Sequence, residues 1–392
     1  MFSSRVRLAA GRNQIAIALE ARRAAGLPIV DLTTSNPTRA GFVYPPGLLQ
    51  PLAHDRALCY EPEPFGLPSA RQAISDQFAR RGVHVEPDRT VLTASTSEAY
   101  SLLFKLLCDP GDVVLAPRPS YPLIEHLTDL DAVSLEQYSL EFHGRWTVDI
   151  DGLQEKLTTR RERRIRAIIM ISPNNPTGSV VTAAELHALA SLARQHGLAL
   201  ISDEVFAEYP IAGEEYPSAM EMDDVLTFAL GGLSKTVGLP QVKLGWIGVG
   251  GPAALVTDAM DRLETICDAY LSVSTPVQVA APELLKAGAQ VRAQIQRRVR
   301  NNFKVLVEIA SKSPSCSVLP VEAGWYAVIQ VPAIRSEEVV VLDLLERAGI
   351  LVHPGYFFDF DREAFLVVSL LPEPESFSSA LKTLLHEVGQ IR

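Results

Sequence analysis

The sequence is poor in the residues that build disulfide frameworks and metal sites. Its four cysteines are scattered and form no Cys-x-x-Cys pair. Its eight histidines form no His-x-x-x-His or His-Glu-x-x-His motif. These absences argue against a disulfide-rich scaffold, a structural zinc site and a metal catalyst, and they favour a reducing compartment.

Long apolar stretches and a strong positive charge are also missing. No run approaches the roughly 20 apolar residues that cross a bilayer, and the first residues contain no apolar core of a signal peptide. Asp plus Glu (46) outnumber Lys plus Arg (36), so the net charge is −10. The one basic cluster, five arginines within residues 160–166, is interpreted as a solvated helix end before a strand. We therefore expect a cytoplasmic protein that binds neither membranes nor nucleic acid.

What the chain does have is an ordinary globular composition, with 392 residues of which 47% are hydrophobic and 21% charged. That length predicts two domains, or one large core with an appendage. From about residue 68, helical stretches alternate with short apolar runs such as 167–171 and 198–201, which are typical of parallel strands buried on both faces. The fold class is therefore α/β, with a doubly wound, mostly parallel sheet in a large domain and a smaller α+β domain.

The character of the sequence changes twice, and these changes predict the domain boundaries. Residues 1–45 should form an N-terminal arm that belongs to the small domain, with a helix at 12–25 and a short strand at 29–32. The large domain should cover residues 46–275 and the small C-terminal domain residues 276–392. No low-complexity linker separates them, so the domains should pack closely.

The most informative local feature is Lys235, in a turn of small residues after the predicted strand 225–230 and Gly231-Gly232. A lysine in such a place can form a Schiff base, because burial beside another cation lowers its pKa toward neutrality. Taken alone, however, this lysine is explained more simply as a solvated surface group.

Other polar residues also follow predicted strands. Ser95 and Glu98 match a capping box at a helix start that can hold a phosphate, Asn175 lies in an Asn-Pro-Thr-Gly turn, and Asp203 follows the run 198–201. Each motif alone is explained by an ordinary cap, turn or surface carboxylate. Because a doubly wound sheet brings the carboxyl ends of its strands to one edge, we expect these residues to lie together there.

In order along the chain, this set resembles that of the class I/II aminotransferases of pyridoxal-phosphate fold type I. The resemblance covers about residues 31–385 and rests on Asn-Asn-Pro-Thr-Gly (174–178), Ser-Asp-Glu-Val (202–205) and Leu-Ser-Lys-Thr (233–236). Asp203 follows Asn175 by 28 residues and precedes Lys235 by 32, which are separations typical of the family. The resemblance implies a pyridoxal 5′-phosphate enzyme that transfers an amino group from an amino donor to a 2-oxo acid or another carbonyl acceptor.

The resemblance also implies roles for individual residues. Lys235 matches the catalytic lysine that carries the cofactor and moves the proton, and Asp203 matches the carboxylate that pairs with the pyridine nitrogen. Asn175 matches a donor to the phenolic oxygen of the ring, and Tyr121 matches the aromatic residue stacked on the ring. The phosphate ligands are matched by Ser95, Thr96, Ser97, Lys243 and, across a subunit interface, Tyr60. The match at Tyr60 implies a homodimer with shared active sites.

Four positions depart from the family pattern. Phe206 replaces a tyrosine, which removes one donor to the ring oxygen and should raise the pKa of the linkage between cofactor and lysine. Gly232 replaces a phosphate-binding serine, and Lys243 replaces an arginine and so loses its fork geometry. Val367 stands where the family has the arginine that clamps the substrate α-carboxylate.

The missing clamp leaves the substrate open. Arg39 is the candidate that takes over the carboxylate, with Asn36 and Asn175 in the same substrate site and Arg118 behind it, although a surface charge explains Arg39 equally well. Alternatively, the substrate has no α-carboxylate in the usual place, as in an amino sugar, an amine or a modified amino acid.

Other functions compete with transamination. A carbon–sulfur β-lyase or a decarboxylase on the same fold would use the same cofactor site, and formation of the pyridoxamine form with amino donors would separate these reactions. A non-catalytic regulator that binds the cofactor is disfavoured, because such regulators carry an additional DNA-binding domain and this chain enters the cofactor fold within about forty residues. A generic nucleotide-binding protein is disfavoured because no Gly-x-Gly-x-x-Gly follows the early strands.

Overall fold

The computed structural model describes residues 2–6, 13–159, 163–212 and 216–390. Its helices are α1 (Gln14–Ala24), α2 (Pro68–Ala79), α3 (Thr96–Leu107), α4 (Leu123–Leu130), α5 (Ile150–Thr158), α6 (Ala183–His196), α7 (Leu233–Thr236), α8 (Ala253–Tyr270), α9 (Thr275–Ala310), α10 (Glu337–Asp343) and α11 (Pro374–Gly389). Its strands are β1 (Val30–Asp31), β2 (Thr90–Thr93), β3 (Val113–Arg118), β4 (Ser134–Phe142), β5 (Trp146–Val148), β6 (Ile165–Ile171), β7 (Ala199–Asp203), β8 (Thr227–Gly232), β9 (Gly245–Gly250), β10 (Ser317–Val318), β11 (Tyr326–Gln330), β12 (Ile350–Leu351), β13 (His353–Pro354) and β14 (Phe365–Ser369).

An eight-stranded sheet forms the centre of the molecule, in the order β2-β9-β8-β7-β6-β3-β4-β5. Strands β4, β3, β6, β7 and β8 pair in parallel. Strand β9 is antiparallel to both β8 and β2, and β5 is antiparallel to β4. The predicted α/β class, with a doubly wound and mostly parallel sheet, is confirmed.

The parallel strands are apolar because helices cover both of their faces. All six residues of β8 and the last five of β6 are buried. Helix α6, which connects β6 to β7, begins with the predicted capping box: the Thr182 hydroxyl accepts from the backbone of Glu185, and the Glu185 carboxylate accepts from the backbone of Thr182 at 2.8 Å. It ends at Gly197, whose φ of 64° lies in the left-handed region that glycine tolerates best.

The C-terminal part contains a second, antiparallel sheet in the order β10-β11-β14-β13. It is preceded by α9, a single helix of 36 residues that matches the long helix predicted from residue 276 onward. Near the N-terminus, β1 pairs in parallel with β12, so the first strand of the chain joins elements from its last quarter. One buried apolar cluster runs from Ile15 through Val113 and Trp325 to Leu384, so the two sheets share a continuous core.

The arginine cluster differs in part from its interpretation as a solvated helix end. Arg160 and Arg161 lie outside the described residues. Arg163 and Arg164 are exposed between α5 and β6. Arg166 is the second residue of β6, and its Nε donates to the carbonyl of Leu107 at 2.6 Å, so it belongs to the amino end of a central strand.

None of the described helices combines the length and the apolar composition that a membrane crossing requires.

Candidate active site

The ends of five strands meet at one edge of the large sheet. Asp203, the last residue of β7, pairs with Ile171 of β6 on one side and with Leu230 of β8 on the other. The ends of β2 and β8 both pair with Gly245 at the start of β9. Because β2, β3, β6, β7 and β8 run in the same direction, the residues that follow them are gathered at this edge, namely Ser95, Tyr121, Asn175, Asp203 and Lys235.

Lys235 lies in the four-residue helix α7, directly after β8. Removal from water lowers the pKa of Lys235 to about 8, although the nearby charge of Asp203 acts in the opposite direction. The hydroxyl of Tyr209 donates to the Lys235 carbonyl at 2.5 Å and fixes the backbone that carries the side chain. An amine with a pKa near the working pH can both accept and release a proton, as a general acid/base must.

Asp203 is held by two hydrogen bonds. The phenol of Tyr100 donates to Oδ2 at 3.1 Å, and the backbone N–H of Val205 donates to Oδ1 at 3.2 Å. The pKa of Asp203 is raised to about 6, mainly by burial and to a smaller extent by the charge of Glu204, although these two hydrogen bonds and Lys235 act to lower it. A buried carboxylate of this kind suits a cationic partner such as a protonated ring nitrogen.

Glu204, the next residue, fixes the end of β7 through polar contacts. Its Oε1 accepts from the Ser218 hydroxyl at 2.7 Å and from the Ala219 backbone N–H at 3.1 Å. Its Oε2 forms an ion pair with Arg81 at 2.9 Å. This network could not be predicted from the sequence, because Arg81 lies far away along the chain and no motif connects it to Glu204.

The N-terminus of α3 closes one side of the site. Ser95 caps the helix by accepting from the Glu98 backbone N–H at 3.2 Å. The predicted capping box is incomplete, however, because the Glu98 carboxylate accepts from Ala94 N rather than from Ser95 N. A Cβ at Gly245 would lie 3.0 Å from the Thr96 nitrogen, so only glycine lets this helix start approach β9 so closely. The free amides and hydroxyls of Thr96 and Ser97 suit a phosphate.

Two further positions that the sequence relates to a phosphate are Gly232 and Lys243. Gly232 ends β8 beside this helix, and a Cβ there would lie 3.2 Å from the Leu244 carbonyl and 3.8 Å from Thr96 Cγ2. Lys243 precedes β9 and is exposed, with φ of 61° and ψ of 60°. A serine at position 232 would therefore crowd the start of β9, and Gly232 keeps this corner open.

Asn175 supplies the test of whether a cofactor fits here. Its side chain is buried and its Oδ1 has no hydrogen-bond partner among the described residues. The neighbouring Asn174 donates to the Pro119 carbonyl at 3.0 Å and to Thr177 Oγ1 at 2.9 Å, and its own Oδ1 is also unpartnered. An unpartnered buried amide is costly. The amide of Asn175 is free to turn, so that its Nδ2 would donate to an oxygen of a polar ring bound at this edge.

The two predicted tyrosines are accessible. The exposed fractions are 50% for Tyr121 and 69% for Tyr60. Tyr60 lines a small cavity together with Tyr270 and Ser272, and Ser272 in turn donates to Glu98 in the first turn of α3 at 2.7 Å. Tyr60 therefore lies beside the phosphate-ready helix, and its role across a subunit interface stays a prediction.

The segment that carries Asn36 and Arg39 is tied to the small sheet. Ser369 donates from its backbone to the Leu32 carbonyl at 2.6 Å and from its hydroxyl to the Thr34 carbonyl at 2.5 Å. Asn36 Oδ1 caps a short 3-10 turn by accepting from the backbone and hydroxyl of Thr38. Arg39 is exposed, and its guanidinium has no hydrogen bond or ion pair with the described part of the chain.

No guanidinium stands at position 367, where the resemblance to the family predicts the arginine that clamps the substrate carboxylate. Val367 is fully buried in β14 between Val328 and His353. Arg118, the second candidate for a substitute, is already paired with Asp361 at 2.9 Å.

The fold and the site together define a class of enzyme, and the comparisons with known proteins identify the family. A sequence model of "Aminotransferase class I and II" matches residues 53–380, and the chain belongs to that family. It is a pyridoxal-phosphate-dependent aminotransferase of fold type I.

Individual relatives cover almost the whole chain at low identity. Glutamate-pyruvate aminotransferase AlaA of Escherichia coli is 26% identical over 368 residues, which are 91% of this chain and 89% of that protein. An alanine aminotransferase of Mycobacterium tuberculosis is 27% identical over 384 residues, covering 95% of this chain and 87% of that protein. The fold resembles the crystal structure of an aminotransferase from Escherichia coli, with a TM-score of 0.86 at 24% identity over 100% of this chain and 98% of that one.

Phe206 offers a direct test of the site. The centre of its buried ring lies 5.4 Å from that of Trp325 and 6.2 Å from that of Tyr326, in edge-to-face contacts. Because this residue is phenylalanine, position 206 has no hydroxyl to donate. In a Phe206→Tyr variant, we expect the pH midpoint of the visible absorption band of the bound cofactor to fall by about one unit, because a new donor would stabilise the ring oxygen anion. An absorbance titration measures this midpoint. A Phe142→Tyr variant is the control, and an unmoved midpoint in Phe206→Tyr would refute this account of position 206.

Proposed function

We propose that Lys235 and Asp203 are the catalytic residues of this aminotransferase. Asp203 would pair with the ring nitrogen of the cofactor, and Lys235 would carry the cofactor and move the proton. Asn175, Tyr121 and Phe206 would contact the ring. The phosphate would be held by Ser95, Thr96, Ser97, Lys243 and the partner subunit's Tyr60. The observation that carries the proposal is the gathering of five strand ends at one sheet edge, which puts Asp203 next to Lys235.

When bound, pyridoxal phosphate supplies an electron sink for the pair of electrons released at the substrate carbon. The protein's contribution is orientation and proton control. The hydrogen bonds from Tyr100 and Val205 hold the Asp203 carboxylate in place. The lowered pKa of Lys235 allows its amine to take a proton from the substrate and give it back.

For the substrate, we propose a small amino donor and a carbonyl acceptor whose carboxylate is bound by Arg39, with Asn36 and Asn175 alongside. The Arg39 guanidinium has no hydrogen-bond or ion-pair partner among the described residues, and its segment is held against the small sheet by Ser369. The fully buried Val367 cannot compensate a carboxylate charge. Relatives are named as alanine and glutamate-pyruvate aminotransferases, so alanine and glutamate are the first donors to test.

We expect amino donors to convert the bound cofactor of the parent enzyme to its pyridoxamine form. In an Arg39→Ala variant this conversion should be at least ten times less efficient, because a charge-assisted hydrogen bond contributes about 1.5–3 kcal/mol. A spectral screen that follows loss of the cofactor's visible band measures this in both proteins. An Arg335→Ala variant, which removes a surface arginine paired with Asp343, is the control.

Equal conversion by the parent and Arg39→Ala would contradict the role of Arg39. Conversion by neither protein would indicate a substrate without a conventional α-carboxylate. Release of a thiol or carbon dioxide without formation of the pyridoxamine form would indicate lyase or decarboxylase chemistry instead.

We also propose a cytoplasmic homodimer with shared active sites. Tyr60, Leu58 and Tyr270 are more than half exposed, and a second copy would cover these apolar surfaces. The four cysteines are unpaired, which suits a reducing compartment. For the domains, we propose an arm at residues 1–45, a large cofactor-binding domain at 46–275 and a small domain at 276–392.

A further inference from the structure

The side chain of Lys235 lies against the faces of two aromatic rings. Its Nζ is 5.0 Å from the ring centre of Trp325 and 5.7 Å from that of Phe206. The two rings meet edge to face, with centres 5.4 Å apart and planes at 69°. Both distances fall within the roughly 6 Å at which an ammonium is attracted to an aromatic face. We call these two rings the aromatic corner.

The aromatic corner is held rigidly. Trp325 is fully buried, and its ring also meets Tyr209 edge to face at 5.1 Å. Tyr209 in turn donates to the Lys235 carbonyl, so one set of packed residues positions both the backbone and the amine of this lysine. Trp325 comes from the loop before β11, whereas Lys235 follows β8, so the contact joins two distant parts of the chain.

The burial of Trp325 is unfavourable in one respect. Its indole N–H is buried and has no hydrogen-bond partner among the described residues. A phenylalanine or leucine would fill an apolar position without leaving a donor unpaired. The property that distinguishes tryptophan here is its ring face, which attracts cations more strongly than the faces of other aromatic residues.

Two opposing influences otherwise act on the charge of Lys235. Burial favours the neutral amine, and the nearby charge of Asp203 favours the ammonium. The aromatic corner adds a second attraction for the ammonium that does not depend on Asp203. It therefore remains when the charge of Asp203 is engaged with the cofactor.

We propose that Trp325 is a positioning residue of the reaction, which binds the ammonium of Lys235 whenever this lysine is not bonded to the cofactor. The inference rests on the proposed role of Lys235. In transamination, the lysine takes one proton from the substrate carbon and later returns one proton, and it is an ammonium between these two transfers. The Trp325 face stabilises that charged form and keeps it at the sheet edge.

The test replaces Trp325 by monofluoro- and tetrafluorotryptophan, which keep the shape of the ring and weaken its attraction for cations. The protein is loaded with pyridoxamine 5′-phosphate, which leaves the amine of Lys235 free. Trace acylation followed by peptide mass spectrometry gives the pKa of Lys235 from the pH dependence of its labelling. We expect that pKa to fall stepwise with fluorination, by about one unit in total, so that Lys235 is labelled several times faster at neutral pH.

Two internal controls come with the experiment. Lys105, which lies 5.9 Å above the exposed ring of Tyr270, should be labelled at an unchanged rate in the same digests. Fluorination of Trp146, a second buried tryptophan with an unpartnered indole N–H, should leave Lys235 unaffected. An unshifted pKa of Lys235 on fluorination of Trp325, or an equal shift on fluorination of Trp146, would overturn the proposal.

Failure of the inference can be separated from failure of the proposed function. Borohydride reduction of the protein loaded with pyridoxal 5′-phosphate attaches the cofactor permanently to the lysine that carries it. Attachment at a lysine other than Lys235 would refute the proposed function and this inference with it. Attachment at Lys235 with no effect of fluorination would refute the role of Trp325 alone.

Discussion

Replacing Lys235 by alanine is expected to lower the turnover number by about four orders of magnitude or more. The variant loses both the covalent attachment of the cofactor and the group that moves the proton. Lys243, which we propose as a phosphate ligand, is exposed before β9 and does not replace it. The fold should persist, because the amine lies against the faces of Trp325 and Phe206, and these two rings pack on each other without it. Steady-state kinetics with an active donor measure the loss, and thermal unfolding checks the fold.

The matched control for this variant is Lys312→Ala, which removes an exposed lysine after α9. It should retain the turnover number of the parent. A Lys235→Ala variant that keeps a tenth or more of the parental rate would mean that the chemistry depends on another residue.

The second large effect is expected for Asp203→Asn. Removing the negative charge leaves a buried ring cation without its counter-ion, and breaking such a pair costs about 3–5 kcal/mol. The rate of the first half-reaction should therefore fall by about two to four orders of magnitude. Single-turnover spectroscopy measures that rate, and Asp258→Asn, a change on the exposed face of α8, is the control.

The same substitution, which should slow the reaction, should stabilise the cofactor-free protein against unfolding. The pKa of Asp203 is about 6 when folded, against a usual value of 3.8, so its buried charge destabilises the fold at pH values above about 6. Asp203→Asn should then raise the free energy of unfolding at neutral pH by roughly 1–3 kcal/mol, and this gain should vanish below about pH 4.

For the reaction itself, an Asp203→Asn variant whose first half-reaction runs at the parental rate would refute the catalytic role of Asp203.

The cluster at the sheet edge could be predicted because each of its members follows a short apolar strand. The runs that became β6 and β7 are continuous and buried, and their ends carry Asn175 and Asp203. Once the sheet is doubly wound, the placement of these side chains follows from topology alone. Strand β4 escaped prediction for the opposite reason: its polar and apolar residues are mixed and mostly half-buried, because it lies near the margin of the sheet.

The residues that support the cluster were not predictable in the same way. Trp325 lies 90 residues after Lys235 and belongs to no motif, so only the packing of the two sheets brings it to the amine. Tyr100 lies in the same helix as the capping motif, five residues after Ser95, and its bond to Asp203 depends on the angle at which α3 crosses the sheet. Glu98 accepts from Ala94 N rather than from Ser95 N, a difference of one residue that the capping motif does not specify.

The most direct test of the account is to find the lysine that carries the cofactor. Purified protein loaded with pyridoxal 5′-phosphate should be yellow and should lose its visible band on treatment with borohydride. Peptide mapping should then find the reduced cofactor on Lys235, the residue that α7 places beside Asp203. Attachment at Lys105 or Lys243, or no attachment at all, would contradict the assignment of this sheet edge as the active site.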